Sequence, residues 1–140
     1  MQGHIIRLSL SVIIGFLVNF VWGQVVTSVP LFPSDLSSVT ITFDATKGTG
    51  GLARFSGEIY AHTGVITNQS ASSTDWKYVK TNWGENTTET QLNKVDENKY
   101  ELEIGPSIRA YYGVPADEEI LKVALVSRSA DASLEGKDDG

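Results

Sequence analysis

Aromatic and hydrogen-bonding side chains are concentrated between residues 58 and 86. Two of the chain's 3 tryptophans and one of its 2 histidines lie in this stretch. An indole presents a flat apolar surface on which the C–H face of a pyranose ring can stack, and nearby polar groups can then bind the sugar hydroxyls. The residues that could form such a sugar-binding surface are Trp76, Tyr78, Trp83, Lys77, Lys80, Asn82, Tyr60 and His62.

Other kinds of site find little support in the same stretch. A zinc site needs several His or Cys ligands, but the chain has no cysteine and only His4 besides His62. A serine hydrolase of the Gly-x-Ser-x-Gly type is excluded because that motif is absent. Glu58, Asp75 and Glu85 lie near the aromatic residues, but a domain this small encloses no deep cleft for a glycosidase pair. We therefore expect no enzyme activity, no metal and no cofactor.

The sequence leaves the surroundings of the three aromatic candidates open. Trp76 could instead be the buried tryptophan that many immunoglobulin-like sandwiches carry in their core. Trp83 is flanked by Asn82 and Gly84 and could be exposed in a loop or buried. His62 could be an ordinary polar residue of a strand, with no ligand.

The N-terminal residues have the pattern of a secretory signal peptide. A weakly basic start is followed by an apolar run over residues 8–22, and small residues precede a predicted cleavage point between Gly23 and Gln24. The run is about fifteen residues, whereas a membrane span needs about twenty; an uncleaved anchor is the alternative. We therefore predict a secreted protein with no membrane association after cleavage, and the missing cysteine excludes a lipid anchor at the cleavage point.

Charge and length limit the mature chain further. Residues 1–23 contain Arg7 and no acid, so cleavage leaves 10 basic against 17 acidic residues and changes the net charge from -6 to -7. Such an acidic protein is a poor partner for nucleic acid or an anionic membrane. About 117 residues are enough for one domain and not for two.

Short strand patterns separated by turns predict an all-β fold. Proline-rich residues 24–38 predict an extended lead-in, and alternation over residues 39–43 predicts a strand with Val39, Ile41 and Phe43 facing the core. Further strands are predicted at residues 57–64 and 76–79, a hairpin at 90–94 and 99–104, and a strand at 120–126 covered on both faces. One short helix at 106–112 would begin at Pro106 and stop at Gly113. Together these elements favour an antiparallel β-sandwich.

The predicted sandwich lacks its last strand. After the strand at 120–126 the sequence turns and ends in a polar, acidic segment, and a turn with no returning strand leaves a sheet edge unpaired. We therefore predict a signal peptide at 1–23, the lead-in at 24–38 and a C-terminally truncated sandwich at 39–140.

Five segments in this order resemble a known module. The chain is similar to the immunoglobulin-like, starch-binding-type β-sandwich that precedes the catalytic barrel in secreted α-amylase-family glycoside hydrolases of Bacteroidetes, and to modules of outer-membrane starch-binding proteins. The segments are VTITFDATKG from Val39, GEIYAHTGVIT from Gly57, DWKYVK from Asp75, IRAYYGVP from Ile108 and RSAD from Arg128. The resemblance implies a non-catalytic accessory module that binds starch or a related α-glucan beside a catalytic domain. The alternative is a structural spacer that packs against that domain and binds no sugar.

The resemblance fails at three places. Such modules usually carry Phe where Ser127 stands and Gly where Ala132 stands, and they continue past the position of Gly140 into an apolar final strand. We expect Ser127 to weaken one packing contact and Ala132 to strain a turn that requires positive φ.

Overall fold

The computed structural model describes residues 25–138, so the predicted signal peptide at 1–23 lies outside the described residues. Within this range the chain forms seven strands and one α-helix, with a 3₁₀ turn at Thr88–Thr90. The elements in chain order are β1 Val26–Val29, β2 Val39–Asp44, β3 Ile59–Thr67, β4 Gln91–Asp96, β5 Lys99–Ile104, α1 Ile108–Tyr112, β6 Ile120–Ser129 and β7 Glu135–Gly136. The segment predicted as a lead-in thus contributes a strand, β1, which pairs with β2.

The strands form one curled antiparallel sheet in the order β1-β2-β5-β4-β3-β6-β7. Its two groups, β1-β2-β5-β4 and β3-β6-β7, are joined by a short pairing of β3 with β4 at Ile59 and Tyr60. The same grouping, four strands followed by three, defines the immunoglobulin constant-type sandwich. The predicted all-β antiparallel fold with one short helix is therefore confirmed.

The core lies between the two strand groups. Buried and half-buried residues alternate along β2, as a strand with one face towards the core requires, and the predicted inward positions Val39, Ile41 and Phe43 are all buried. Residues from β3 and β5 meet them there: Ile59, Ala61, Val65, Tyr100, Leu102 and Ile104. Ser127 also points inwards and is 1% exposed, and its hydroxyl has no hydrogen-bond partner among residues 25–138. The expected weakening of a packing contact at Ser127 stays a prediction.

Helix α1 begins and ends at clear capping residues. The Ser107 hydroxyl accepts a hydrogen bond from the Ala110 N–H, and Gly113 adopts the left-handed conformation at φ 72° that closes the last turn. The predicted stop at Gly113 is confirmed. The predicted start at Pro106 is wrong, because Pro106 precedes the capping residue Ser107.

Residues 76–79 do not form the predicted strand. They touch the sheet through a single bridge in which the Lys77 N–H donates to the Val65 carbonyl at 2.7 Å and the Val65 N–H donates to the Lys77 carbonyl at 2.9 Å. Tyr78 then has a φ of 51°, which no extended strand allows. The segment crosses closely over Gly64, where a Cβ would lie 3.0 Å from the Lys77 carbonyl oxygen. The sequence predicted that Trp76 and Tyr78 share a strand face, and this prediction is wrong.

The chain does return after β6. The two-residue strand β7 pairs with Ser127 and Arg128, so the expected absence of a returning strand is corrected within the described residues. Gly136 is required there because a Cβ would lie 2.5 Å from Cζ of Phe43. Strand β6 is covered on both faces only near its C-terminal end, since Leu121 is 53% exposed and the residues Ser127 to Ser129 are buried.

The turn between β6 and β7 contains the expected strained residue. Ala132 has a φ of 58°. Hydrogen bonds from the hydroxyls of Ser129 and Ser133 and from the Ser133 N–H to the Asp131 carboxylate hold the turn closed, and they lower the pKa of Asp131 to about 2. Ala132 is therefore held at a positive φ by hydrogen bonds between the side chains of the same turn.

Substitution of Ala132 with glycine is expected to stabilise the protein. Glycine adopts positive φ without the Cβ clash that costs an L-residue about 1 kcal/mol, so we expect Ala132→Gly to raise the free energy of unfolding by about that amount. Urea denaturation measures the change. The exposed turn residue Ala116 has no positive φ, and Ala116→Gly should lower stability. A loss of stability in Ala132→Gly would contradict the strain.

Candidate functional site

Aromatic rings cluster on the outer face of β3 and β6. Tyr60 and His62 lie on the face of β3 opposite to the core residue Ala61, and Arg128 of β6 pairs directly with Tyr60. The imidazole of His62 stacks on Trp76, with ring centroids 5.9 Å apart at 27°, and meets the ring of Trp83 edge-on at 5.2 Å and 77°. We call Tyr60, His62, Trp76, Trp83 and Arg128 the aromatic cluster.

The two tryptophans of this cluster lie outside the core. Trp76 is half-buried and is not part of the core between the strand groups, so its interpretation as a core tryptophan is wrong. Trp83 is 48% exposed. The cluster therefore presents one large indole surface to solvent, with a second indole and an imidazole packed beside it.

Arg128 supports the cluster from within. Its side chain is fully buried, and the guanidinium carbon lies 5.7 Å from the centroid of the Tyr60 ring and 5.9 Å from that of Trp83. Nη1 donates to Oδ1 of Asn86 at 2.8 Å, and Nη2 donates to the carbonyl of Glu85. Nε has no partner. Burial lowers the pKa of Arg128, which nevertheless stays charged at neutral pH.

An open groove of about 410 Å³ runs along the exposed side of Trp83. Its polar lining comes from His62 on β3 and from Lys80, Asn82 and Glu85 in the loop before β4. The backbone N–H and Nδ2 of Asn82 both donate to the Glu85 carboxylate, at 3.0 and 3.3 Å, which orders the rim. The groove thus combines one indole face with several fixed hydrogen-bonding groups.

Lys80 is held at the far side of this groove. Its ammonium donates to the carbonyl of Tyr111 at 2.8 Å, pairs with Glu89 at 3.0 Å and lies 4.5 Å from the centroid of the Tyr111 ring. Burial, and then the Glu89 charge, raise the pKa of Tyr111 to about 12, so that phenol stays neutral. Lys80 therefore carries no uncompensated charge into the groove.

The other predicted site residues lie elsewhere. Lys77 pairs with Asp75 at 3.0 Å, and the Tyr78 hydroxyl donates to Glu118; neither side chain lines the groove. Tyr60 is 8% exposed and lies beneath Arg128. The structure therefore brings four of the predicted residues to the groove, His62, Lys80, Asn82 and Trp83, with Trp76 packed on His62.

Sequence reasoning missed the supporting residues of the site. Arg128 was seen only as part of a similar segment, and Glu85 only as a nearby acid. Asn86 was not among the predicted site residues, although it receives a hydrogen bond from Arg128. No sequence signal marks Arg128 as buried, because β6 also carries Lys122, Ser127 and Ser129, and buried arginines are rare unless they are paired.

His62 is neutral at pH 7. Burial lowers its pKa below the usual 6.5, and the positive charge of Arg128 lowers it further. A neutral imidazole keeps one N–H donor and one acceptor nitrogen. Its Nδ1 has no partner within the protein.

Acid should destabilise the fold through His62. Because the folded pKa lies below the unfolded value of 6.5, the unfolded chain binds the proton more readily, and stability is lost as the pH falls through that value. We expect the free energy of unfolding to decrease between about pH 7 and about pH 5 in the wild type, and less in His62→Gln. Urea denaturation across this range measures the difference, and parallel pH profiles would contradict it.

No protein-family model matches the chain, and no curated protein matches it significantly. The likeness to starch-binding-type modules therefore remains a prediction. Between residues 25 and 138, no helix is long and apolar enough to cross a membrane.

Proposed function

We propose that this chain is a secreted, non-catalytic module that binds starch or a related α-glucan in the groove beside Trp83. In this proposal it serves as the accessory domain of a polysaccharide-degrading enzyme of the α-amylase type. The observation that supports the proposal most is the half-exposed indole of Trp83, held between His62 and Arg128 at the rim of a polar groove.

The groove has the composition that sugar recognition requires. The C–H face of a glucose ring would stack on Trp83, while Asn82, Glu85 and the neutral imidazole of His62 offer hydrogen bonds to the hydroxyls. The side chains of Asn82 and Glu85 are held by their hydrogen bonds to each other, and the His62 ring is held against Trp83. Binding would then order few side chains, and a preorganised site loses less conformational entropy.

The charges of the groove favour a neutral ligand. Glu89 neutralises Lys80, His62 is uncharged, and the carboxylate of Glu85 is bound only by the Asn82 amides. A polysaccharide rich in carboxylates or sulfates would meet Glu85 without a compensating cation. A neutral glucan meets no such repulsion.

The acids near the cluster support a binding role over a catalytic one. The carboxylate of Glu58 accepts from the Tyr60 hydroxyl and from Gln91, and Asp75 pairs with Lys77. Glu85 is bound by Asn82. Among the described residues that line the groove, Glu85 is the one acid, whereas a glycosidase needs two carboxyl groups facing one sugar bond.

Electrophoresis in a native gel that contains amylopectin tests the proposal. The chain should migrate more slowly in this gel than in a gel without polysaccharide, and it should not be slowed by polygalacturonate, which is anionic. Equal mobility in both gels would reject α-glucan binding.

The second candidate function is a structural spacer, which an exposed apolar surface favours. Phe32 is 90% exposed and Leu31 66%, and both line one surface with the exposed Leu121 at the start of β6. Leu36 is 73% exposed. Apolar surface of this kind is typical of a contact with another domain, which here would be the catalytic domain of the same enzyme. The spacer predicts unchanged mobility in the amylopectin gel, so one experiment separates the two candidates.

A further inference from the structure

Arg128 is a buried cation without a buried anion. None of the ion pairs formed within residues 25–138 includes it, although its side chain is fully buried. Removing a charge from water without an opposite charge is costly, and such groups persist where another interaction offsets the cost. The interactions that offset the cost of burying Arg128 therefore indicate its role in the structure.

Three of those interactions reach the loop that carries Trp83: the contact with the Trp83 ring and the hydrogen bonds to Asn86 and Glu85. Nη1 also donates to the carbonyl of Ser129 on β6 at 3.1 Å. The guanidinium carbon lies 5.7 Å from the centroid of the Tyr60 ring on β3 and 5.9 Å from that of the Trp83 ring, which is within the range of a cation–aromatic contact. The two terminal nitrogens donate to the side chain of Asn86 and to the carbonyl of Glu85. Stacking and hydrogen bonds together attach residues 83–86 to the outer face of the sheet.

We infer that Arg128 is a positioning residue for the groove: it holds the loop of residues 82–86 against β3 and β6 and so sets the orientation of the Trp83 indole. The ligand does not touch Arg128, because the side chain has no exposed surface. Only the expected effect on sugar affinity rests on the proposed function. The orientation of Trp83 can be measured without any ligand.

A lysine cannot replace this residue. Two hydrogen bonds to separate loop positions, with simultaneous stacking on two rings, require the planar fork of a guanidinium, and an ammonium offers only a point charge. Arg128→Lys should thus keep the charge and lose the loop geometry. Arg128→Met keeps most of the apolar stem and loses both the charge and the loop geometry.

Fluorine NMR of the full chain labelled with 5-fluorotryptophan tests the inference. Each tryptophan gives its own resonance, assigned from single Trp→Phe variants. We expect the Trp83 resonance to shift or broaden in both Arg128 variants. Asn86→Ala removes two hydrogen bonds of an exposed loop residue, one from Arg128 and one to the Ala130 carbonyl, but keeps the Arg128 contacts with Trp83 and Glu85, and it should move the same resonance less. The matched control Arg54→Met changes an exposed arginine and should leave Trp83 unmoved.

Affinity for maltoheptaose is the second measurement. It should fall about tenfold in Arg128→Met, the size expected when a cation–aromatic contact is lost. A Trp83 resonance that is unchanged in Asn86→Ala and in the folded Arg128 variants would overturn the inference. A shifted resonance with no glucan binding by the wild type would support the positioning role and reject the proposed function, so the two can fail separately.

Discussion

Replacement of Trp83 with alanine is expected to abolish measurable α-glucan binding while the fold survives. The indole is 48% exposed and provides the large apolar face of the groove. An aromatic contact of this kind contributes about 1.5 kcal/mol beyond the buried area, so the affinity should fall more than about tenfold. The loss of retardation in an amylopectin gel, with a cooperative thermal melt retained, is the measurement.

A matched control separates this effect from a general loss of aromatic surface. Phe32 is an exposed aromatic residue at the other apolar surface and does not line the groove. Phe32→Ala should therefore keep wild-type retardation. Full binding by Trp83→Ala would contradict the assignment of the sugar site to the Trp83 groove. Loss of binding in both variants would contradict it as well, because the effect would not be specific to Trp83.

Replacement of Phe43 with alanine should have the largest effect on stability. Phe43 is 1% exposed, packs at 6.5 Å from the ring of Tyr100 and lies directly under Gly136 of β7. The cavity left by a buried phenylalanine costs about 4 kcal/mol. A domain of this size has a total stability of about 5–15 kcal/mol, so the variant should be close to unfolding.

The free energy of unfolding from urea denaturation measures this loss, with Phe32→Ala again as the control. The substitution is chemically identical, but Phe32 is 90% exposed and its removal should cost little. Equal destabilisation by the two substitutions would show that Phe43 is not in the core, which would contradict the packing of β7 across the sandwich.

The strands with one buried face could be predicted from the sequence. Alternation along β2 placed Val39, Ile41 and Phe43 towards the core, and the turn between β4 and β5 was visible as a charged break. Both signals are local, because the period of two and the turn residues lie within a few positions of each other. The capping glycine of α1 was predictable for the same reason.

Residues 76–79 show where local patterns fail. The aromatic residues at alternate positions, Trp76 and Tyr78, predicted a strand, but a strand forms only where a partner offers its backbone over several residues. Here Val65 offers a single bridge, and Tyr78 turns out of the extended region. No residue within the segment itself carries that information.

The site was half predictable for a related reason. Trp83, His62 and Asn82 were identified by residue type, since exposed aromatic and amide groups are typical of ligand surfaces. Arg128 was not, because its role depends on the register that places it opposite Tyr60. That register joins positions 60 and 128, and sequence spacing does not determine it.

The central claim is that the outer face of β3 and β6 binds an α-glucan through Trp83. Titration of the 5-fluorotryptophan-labelled chain with β-cyclodextrin tests it most directly. The claim predicts a saturable shift of the Trp83 resonance and a smaller shift of Trp76, which packs on His62. Resonances that stay unchanged at millimolar cyclodextrin would contradict it.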